Sequence, residues 1–423
     1  MTNLPKNWVE TTLSDVAEIY DSERKPVNSS EREKRISGKE KSELYPYYGA
    51  TGQVGYIDNY IFNDEFVLLG EDGAPFLEFL AKKAFIVRGK FWVNNHAHIL
   101  KSKTSNKFLC FFLNQFDYHN FVTGTTRYKL TQSDMCKIPI PLPPLAEQER
   151  IVAKIEELFA GIDAGVENLK SVKNQIALYR QSVLKSAFNI KNAVIQKASE
   201  IGEVSLGRQR SPKNISKFYP TKYIRAANIS ENGIDVSDIL DMEFLPYEKE
   251  KYLLKQNDIL LSEASGSPNH VGKPAIWNNE IDDCCFQNTV IRHRLFGNHP
   301  KYVFWFYKYL YLSSFFAKLA GGVGINHIGS TKFSNIEIPI PSLDEQKRIV
   351  AEIESRFERA DALETAVDRA LSNAEKLKQA VLKKAFSGEL VPQNPDDEPA
   401  SVLLDRIRAA RASELPAKKG KRK

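Results

Sequence analysis

A single stretch of this chain appears twice, and its second appearance limits the possible folds more than any other feature. Ile140-Pro141-Leu142-Pro143-Pro144-Leu145-Ala146-Glu147-Gln148 runs into a long helical pattern ending near Phe188. Ile338-Pro339-Ile340-Pro341 begins a second copy that ends near Phe386. Glu147, Gln148, Arg150, Ile151, Val152, Ala153, Ile155, Glu156, Phe159, Asp163 and Ala164 return in order as Glu345, Gln346, Arg348, Ile349, Val350, Ala351, Ile353, Glu354, Phe357, Asp361 and Ala362. The match needs no gap, so it is an internal duplication and not a shared composition. In each copy the prolines stop one element, and Glu-Gln opens a helix whose acidic first turn suits the helix dipole.

Both helical patterns carry a heptad. Ile155, Ile162, Leu169, Ile176 and Val183 fall seven apart, with Phe159 and Val166 at the intervening core position. Ile353, Phe357, Val367 and Val381 continue the stripe in the second copy, with the smaller Ala360 and Ala374. Such a narrow apolar seam suits one partner helix. At 1.5 Å per residue, a helix of about forty residues is roughly 60 Å long, too long to bury inside an ordinary domain. The two helices are therefore expected to pair with each other. A parallel pair would need the link from Phe188 to Ile201 to run back along most of a helix, and about a dozen extended residues reach only some 40 Å. An antiparallel pair needs a short turn, relates the two halves by a pseudo-dyad and places one variable domain at each end.

The expected organisation is α+β, with segments 1–144, 145–190, 191–342, 343–390 and 391–423. The first is a strand-rich α/β domain, with short apolar runs at Gly55-Tyr56-Ile57, Phe66-Val67-Leu68-Leu69, Ala84-Phe85-Ile86-Val87 and Phe91-Trp92-Val93. A helix is expected over residues 107–121, and a loop over the charged residues 22–42. The third segment repeats this plan weakly. Ile259-Leu260-Leu261-Ser262-Glu263 parallels Val67-Leu68-Leu69-Gly70-Glu71, and Lys301-Tyr302-Val303-Phe304-Trp305-Phe306 parallels Lys107-Phe108-Leu109-Cys110-Phe111-Phe112. Between these anchors the two domains share almost nothing, so their loops are expected to recognise different things.

Composition adds bounds. The chain has 423 residues, 42% hydrophobic and 26% charged, as ordinary soluble proteins do. The opening Met1-Thr2-Asn3-Leu4-Pro5-Lys6 does not read as a signal peptide, and the aromatic run from Tyr302 to Leu312 is too short to cross a bilayer. Cys110, Cys136, Cys284 and Cys285 have neither metal-ligand nor disulfide spacing, so they read as reduced core thiols of a cytoplasmic protein. A net charge of +6 permits an anionic partner. Part of it lies in the tail Lys418-Lys419-Gly420-Lys421-Arg422-Lys423, which is expected to be disordered.

A variable domain, a Pro-rich turn, Glu-Gln-x-Arg-Ile-Val-Ala and a long helix, with the whole unit repeated, resembles the specificity subunit of a type I restriction-modification system. Tyr47-Tyr48-Gly49-Ala50-Thr51-Gly52-Gln53-Val54-Gly55-Tyr56, with Gly70-Glu71-Asp72-Gly73-Ala74-Pro75, is similar to one class of its target-recognition domains. Ala385-Phe386-Ser387-Gly388-Glu389-Leu390-Val391-Pro392 resembles its C-terminal segment. The resemblance implies that each variable domain reads half of a split double-stranded DNA site, while the helices set the spacer and hold two modification subunits. It also implies that S-adenosylmethionine, ATP and Mg belong to the modification and restriction subunits, and that this chain carries no cofactor.

The candidate DNA contacts are loops. Thr125, Thr126, Arg127 and Lys129 precede the first Pro-rich turn, and Asn326 and His327 hold the same repeat position. Hydroxyls and basic groups there suit phosphate oxygens, and Arg127 and Lys129 also suit guanine. Asn326 and His327 suit a base edge or a cap of the turn. Tyr47, Tyr48, Thr51 and Gln53 in the first domain, and Arg225, Asn228, Ser265, Ser267, Asn269, His270 and Lys273 in the second, combine amide, hydroxyl, aromatic and basic groups. Glu71 and Glu263 either buttress these loops or accept from cytosine, and buttressing is favoured.

Catalytic motifs are missing. Gly266 to Gly272-Lys273-Pro274 has the wrong spacing for a P-loop and no hydroxyl after the lysine. Leu142-Pro143-Pro144-Leu145 lacks the polar and aromatic residues of the Asn/Asp-Pro-Pro-Tyr motif. Gly321-Gly322-Val323-Gly324 does not lie between a strand and a helix as a dinucleotide loop does. His96-Ala97-His98 offers two imidazoles for one strand face and no third ligand, so no metal is expected. A stand-alone bivalent DNA-binding or architectural protein is the alternative, and a coiled-coil protein scaffold the third reading.

Overall fold

The computed structural model describes residues 4–191, 193–209, 218–265, 270–320 and 326–414. The chain divides into two compact units, Met1–Leu169 with Arg369–Lys423, and Lys170–Asp368. Each unit takes one variable domain and a portion of both long helices.

In the first unit an inner antiparallel sheet has the strand order Ala17–Ile19, Ala97–Ser102, Phe66–Gly70, Ala84–Val87. The central strand is buried throughout, which explains its unbroken apolar run. Its side chains alternate: Val67 and Leu69 face the main core with the helix Asn106–Gln115, whereas Phe66 and Leu68 face Phe62, Phe85 and Phe91. In a second sheet Tyr45–Gly49 is antiparallel to Gly52–Ile57 and parallel to Lys90–Val93. The helix Asn106–Gln115, capped by Ser105, is shorter than the sequence suggested because the chain turns extended at Phe116. The expected loop over residues 22–42 contains a helix, Ser29–Ile36, whose N-cap Asn28 accepts from Glu31 N. Ile36 is its one apolar residue and none of its residues is buried, so no apolar stripe reveals it.

The second unit repeats the pairing. Its inner sheet has the order Gly202–Leu206, Val290–Leu295, Ile259–Ser262, Pro274–Ile276, again antiparallel. Pro220–Ile224 is antiparallel to Leu240–Glu243 and parallel to Cys285–Phe286, as Tyr45–Gly49 is to its neighbours. The domains therefore share a strand plan even where their side chains share nothing.

The long helices are Leu145–Ala187 and Leu343–Ser387. Each follows a strand that pairs antiparallel with the N-terminal strand of its own domain, Pro139–Leu142 with Val9–Thr12 and Glu337–Ile340 with Val194–Lys197. Gln148 Nε2 donates to Pro143 O, and Gln346 Nε2 to Pro341 O, both at 3.0 Å. The helices run antiparallel in each unit. In the first, Lys378 bonds Asp163 at 2.5 Å. In the second, Lys173 bonds Asp368 and Arg180 bonds Glu364, both at 2.7 Å, and Arg180 also meets Asp361.

The seam follows the heptad. Ile155, Ile176, Val183, Ile353, Val367 and Val381 are buried, and Phe159, Ile162, Val166, Leu169 and Phe357 half-buried. Phe159 meets Phe111, with the Lys378 ammonium 5.1 Å from its ring. Phe357 meets Trp305, with the Arg180 guanidinium at 5.9 Å. Phe386 packs edge-on to Phe108 and Phe112, and Phe188 to Tyr302 and Phe306. The last turns of one helix thus clasp the domain that precedes the other.

All four cysteines are free thiols, but only Cys284 and Cys285 are core residues, Cys110 and Cys136 being half-buried; burial pushes Cys110, Cys284 and Cys285 up to about 12. Among the described residues no helix is long and apolar enough to cross a membrane. The tail beyond residue 390 contains a helix, Ala400–Glu414, whose Ala400 and Leu404 join the first core. Its basic end lies outside the described residues.

Candidate nucleic-acid interface

In the first unit the site grows from the end of the central strand. Glu71 N donates to His96 O at 2.8 Å, and Glu71 O accepts from Leu130 N at 2.7 Å. The residue is therefore pinched between its own sheet and the hairpin of Val122–Thr123 with Lys129–Leu130. That hairpin requires Gly124, which has φ 97° and whose Cβ would lie 2.5 Å from Arg127 O. Thr125, Thr126 and Arg127 are exposed at its tip.

Carboxylates beneath the tip hold its cations. Arg127 Nη2 donates to Asp72 Oδ1 at 3.1 Å, and His96 Nδ1 lies 2.6 Å from the same oxygen. Lys129 Nζ is 3.4 Å from Glu71, whose other oxygen accepts from Arg24 at 2.6 Å. Behind them His98 is fully buried, 2.5 Å from Asp21. The two histidines thus share no strand face: Ala97 begins the strand, His98 points inward and His96 stands outside on Asp72. Asp21, Glu71 and His98 bring ligand atoms within 4.8 Å of one another, a grouping the sequence did not suggest. Arg24 supplies positive charge there, bonded to Glu71 and to Ala97 O at 3.0 Å.

The turn at residues 50–51 comes to the same end, since a Cβ on Gly70 would lie 3.1 Å from Ala50 O. Thr51 and Gln53 are exposed there. Tyr47 corrects the sequence reading: it is 2% exposed, donates to Val27 O at 3.1 Å and has Arg32 over its ring, so it serves the core. Tyr48 packs half-buried against Phe85 and Phe91.

The second unit builds the same crossing. Glu263 N donates to Thr289 O at 2.8 Å, and Glu263 O accepts from Ile328 N at 3.2 Å. Ala264–Ser265 pairs with Asn326–His327 where Asp72 bridges Lys129 in the first. The carboxylate accepts from Gly329 N at 3.2 Å, and burial raises its pKa above the usual range. Both glutamates thus buttress their loops.

Ser262 gathers the ends of the next loop, its Oγ donating to His270 O at 2.5 Å and accepting from Lys273 N at 3.1 Å. His270 and His327 are exposed, Asn326 and Lys273 half-buried. Ser267, Asn269 and the glycines at 321, 322 and 324 lie outside the described residues. Of Ser265, the strand position is described. Arg225 is paired with Asp238, and Thr289 Oγ1 accepts from Ala226 N at 3.1 Å, tying this loop to Glu263. Asn228 is a second correction. It is 3% exposed, accepts from Arg225 N and donates to Asp235 O and Asp238 O, so its amide braces the loop internally.

The sequence assigns no role here to Arg24 or Thr289, places Asp72 only within the family-like stretch of residues 70–75, and offers His96 only as one of two imidazoles on a strand. In the structure His96 and Thr289 directly precede equivalent strands, Ala97–Ser102 and Val290–Leu295. Around one strand end the first unit gathers exposed hydroxyl and basic groups beside the half-buried His96, and the second gathers two exposed imidazoles with the half-buried Asn326 and Lys273, donor sets suited to phosphate oxygens and base edges.

The family model described as Type I restriction modification DNA specificity domain matches residues 5–174 and 191–372. A putative type I restriction enzyme specificity subunit of Haemophilus influenzae, S.HindORF215P, is 33% identical over 366 residues, 82% of this chain and 86% of that protein. The EcoKI specificity subunit of Escherichia coli K12 is 28% identical over 316 residues, 68% of this chain and 67% of that protein. Among solved structures, a chain from a study of complex assembly in the type I R-M system gives a TM-score of 0.69 at 19% identity, covering 92% of this chain and 100% of that one. The HsdS subunit from Thermoanaerobacter tengcongensis gives 0.56 at 19% identity, covering 92% and 98%. With more than half of its length matched, and a relative above 30% identity across most of both proteins, this chain belongs to the type I restriction-modification DNA specificity family.

Proposed function

We propose that this chain is the DNA-reading subunit of a type I restriction-modification enzyme. Each variable domain reads one half of an asymmetric bipartite site in double-stranded DNA, and the long helices set the spacer and dock two modification subunits. The observation that carries this is the repeated frame: two domains with one strand plan present different donor sets at equivalent strand ends. In the first, Thr51, Gln53, Thr125, Thr126, Arg127 and Lys129 meet the DNA. In the second, His270, Lys273, Asn326 and His327 do so. The chain performs no chemistry and works in the cytoplasm. Methylation, with S-adenosylmethionine, belongs to the modification subunits, and cleavage, with ATP and Mg, to the restriction subunits.

Methylome sequencing of a host carrying the intact operon tests this. Exchanging residues 1–144 for another first domain is expected to change one half-site and leave the other intact. Inserting one heptad in both helices is expected to lengthen only the spacer. Changes in both half-sites after either alteration would overturn the assignment.

A further inference from the structure

In the first unit, the segment after the second long helix folds over the start of the first. Gly388 lies against Pro5, whose Cγ would be 2.3 Å from an added Cβ. Glu147 accepts from Gln393 Nε2 at 2.5 Å and from Trp8 Nε1 at 3.0 Å. Asp397 takes both terminal nitrogens of Arg150, at 2.6 and 3.3 Å. Ala400 N then donates to Asn7 O at 3.0 Å, and Leu390, Val391 and Val9, all half-buried, pack against the same core. Glu147 is left 1% exposed.

Among the described residues, nothing covers the equivalent surface of the second unit. Glu345 and Arg348 hold the repeat positions of Glu147 and Arg150, and they pair with each other, Arg348 Nη2 lying 2.7 Å from Glu345 Oε1. Their side chains are 36% and 64% exposed. Val194 takes the strand position of Val9 yet is 65% exposed, beside Ile195 at 56%. Among the described residues their strand pairs with Glu337–Ile340 alone, as Val9–Thr12 pairs with Pro139–Leu142 alone. A cleft of about 260 Å³ lined by Val183, Ile190, Glu345, Arg348, Ile353 and Arg356 lies in this unit.

We propose that this face of the second unit docks an extended segment of a separate protein with the chemistry of residues 389–404. Its side-chain amide meets Glu345, its carboxylate meets Arg348, and a short apolar helical turn covers Val194 and Ile195. The chain itself shows the complementary pattern: the same Glu and Arg satisfy each other where nothing covers them and take an amide and a carboxylate where a segment does. Opening the Glu345–Arg348 pair costs little, because exposed ion pairs contribute little. A second copy is the weaker occupant, because each copy's own segment is bound to its first unit at the high effective concentration that a covalent link provides.

A fluorescein-labelled peptide with the sequence of residues 388–408, titrated into the full-length protein and followed by anisotropy, tests this. Saturable binding of one peptide per chain is expected, weakened at least about tenfold by Arg348→Ala or Val194→Lys in the protein and equally by Asp397→Ala in the peptide. The last change leaves the folded protein untouched. No saturable binding, or binding indifferent to these changes, would overturn the proposal. So would self-association of the chain that Arg348→Ala abolishes, which would give the face to a second copy. A protein that still binds DNA but ignores the peptide loses this docking face alone and keeps the reading of its function.

Discussion

Glu71 and Glu263 sit at equivalent points of the two units, each with its N–H bonded back to the sheet and its C=O accepting from the segment that crosses it. Around the first carboxylate stand Arg24 and Lys129, with Asp72 holding Arg127 beside them. The second carboxylate meets a backbone N–H, and burial alone sets its pKa direction upward. The frame is therefore carried by main-chain bonds, which any sequence can make, while side chains at the same place are free to differ. A reading head built this way can change its donors without changing how it stands on the helices.

The strongest test of that equivalence lies where the helices grip the domains. Phe386 and Phe188 hold the same repeat position, are 8% and 9% exposed, and pack on equivalent aromatic pairs. Replacing either with alanine is expected to destabilise by about 3–5 kcal/mol through lost burial and a cavity. Hydrogen exchange should locate the damage, with Phe386→Ala loosening Asn106–Gln115 and Phe188→Ala loosening Pro300–Leu312. A large effect from one and none from the other would break the pseudo-symmetry.

A smaller effect should separate the units by pH. His293 occupies the strand position of Leu100, pairing with Ile259 as Leu100 does with Val67. Its Nε2–H donates to Ala198 O at 3.0 Å, and Nδ1 accepts from the Tyr307 hydroxyl at 2.8 Å. Burial holds this neutral ring at a pKa of about 4, against an ordinary 6.5. The unfolded chain takes up the proton first as pH falls, so stability present above 6.5 drains away down to about pH 4, by up to about 3 kcal/mol. Urea unfolding across that window should show the loss, and His293→Leu should flatten it. At Leu100 the first unit has nothing to titrate, so an unchanged slope in His293→Leu would mean that another group is responsible.

How much of this could be read in advance depended on how far apart the interacting residues lie in sequence. The heptad from Ile155 to Val183 and the capping turns at Gln148 and Gln346 are local and repeated, and they appear where periodicity put them. Glu71 and Glu263 were legible because the duplication aligned them. Tyr47 and Asn228 were misplaced because residue type does not tell a solvent-facing ring or amide from one enclosed by Val27 or Asp238. Arg24 escaped notice because its partner Glu71 lies 47 positions away. The helix Ser29–Ile36 escaped because Ile36 is its one apolar residue, too few to draw an apolar stripe.

The smallest expected difference concerns the two arginines. Arg150 binds Asp397, whose side chain is 6% exposed, and that bond holds the carboxyl below its ordinary value of 3.8. The attachment it provides is therefore complete at neutral pH and fades only as acid protonates Asp397. Arg150→Ala should free the segment around residues 389–398, speeding its exchange or cleavage at neutral pH on the order of tenfold, as loss of one partner of an enclosed charge pair does. Arg348→Ala removes an exposed partner of Glu345 and Glu352 and should leave exchange throughout the second unit within error. If both substitutions loosened their units equally, the Arg348 surface would already be part of a packed interface, and the contrast between a covered and an uncovered face would fail.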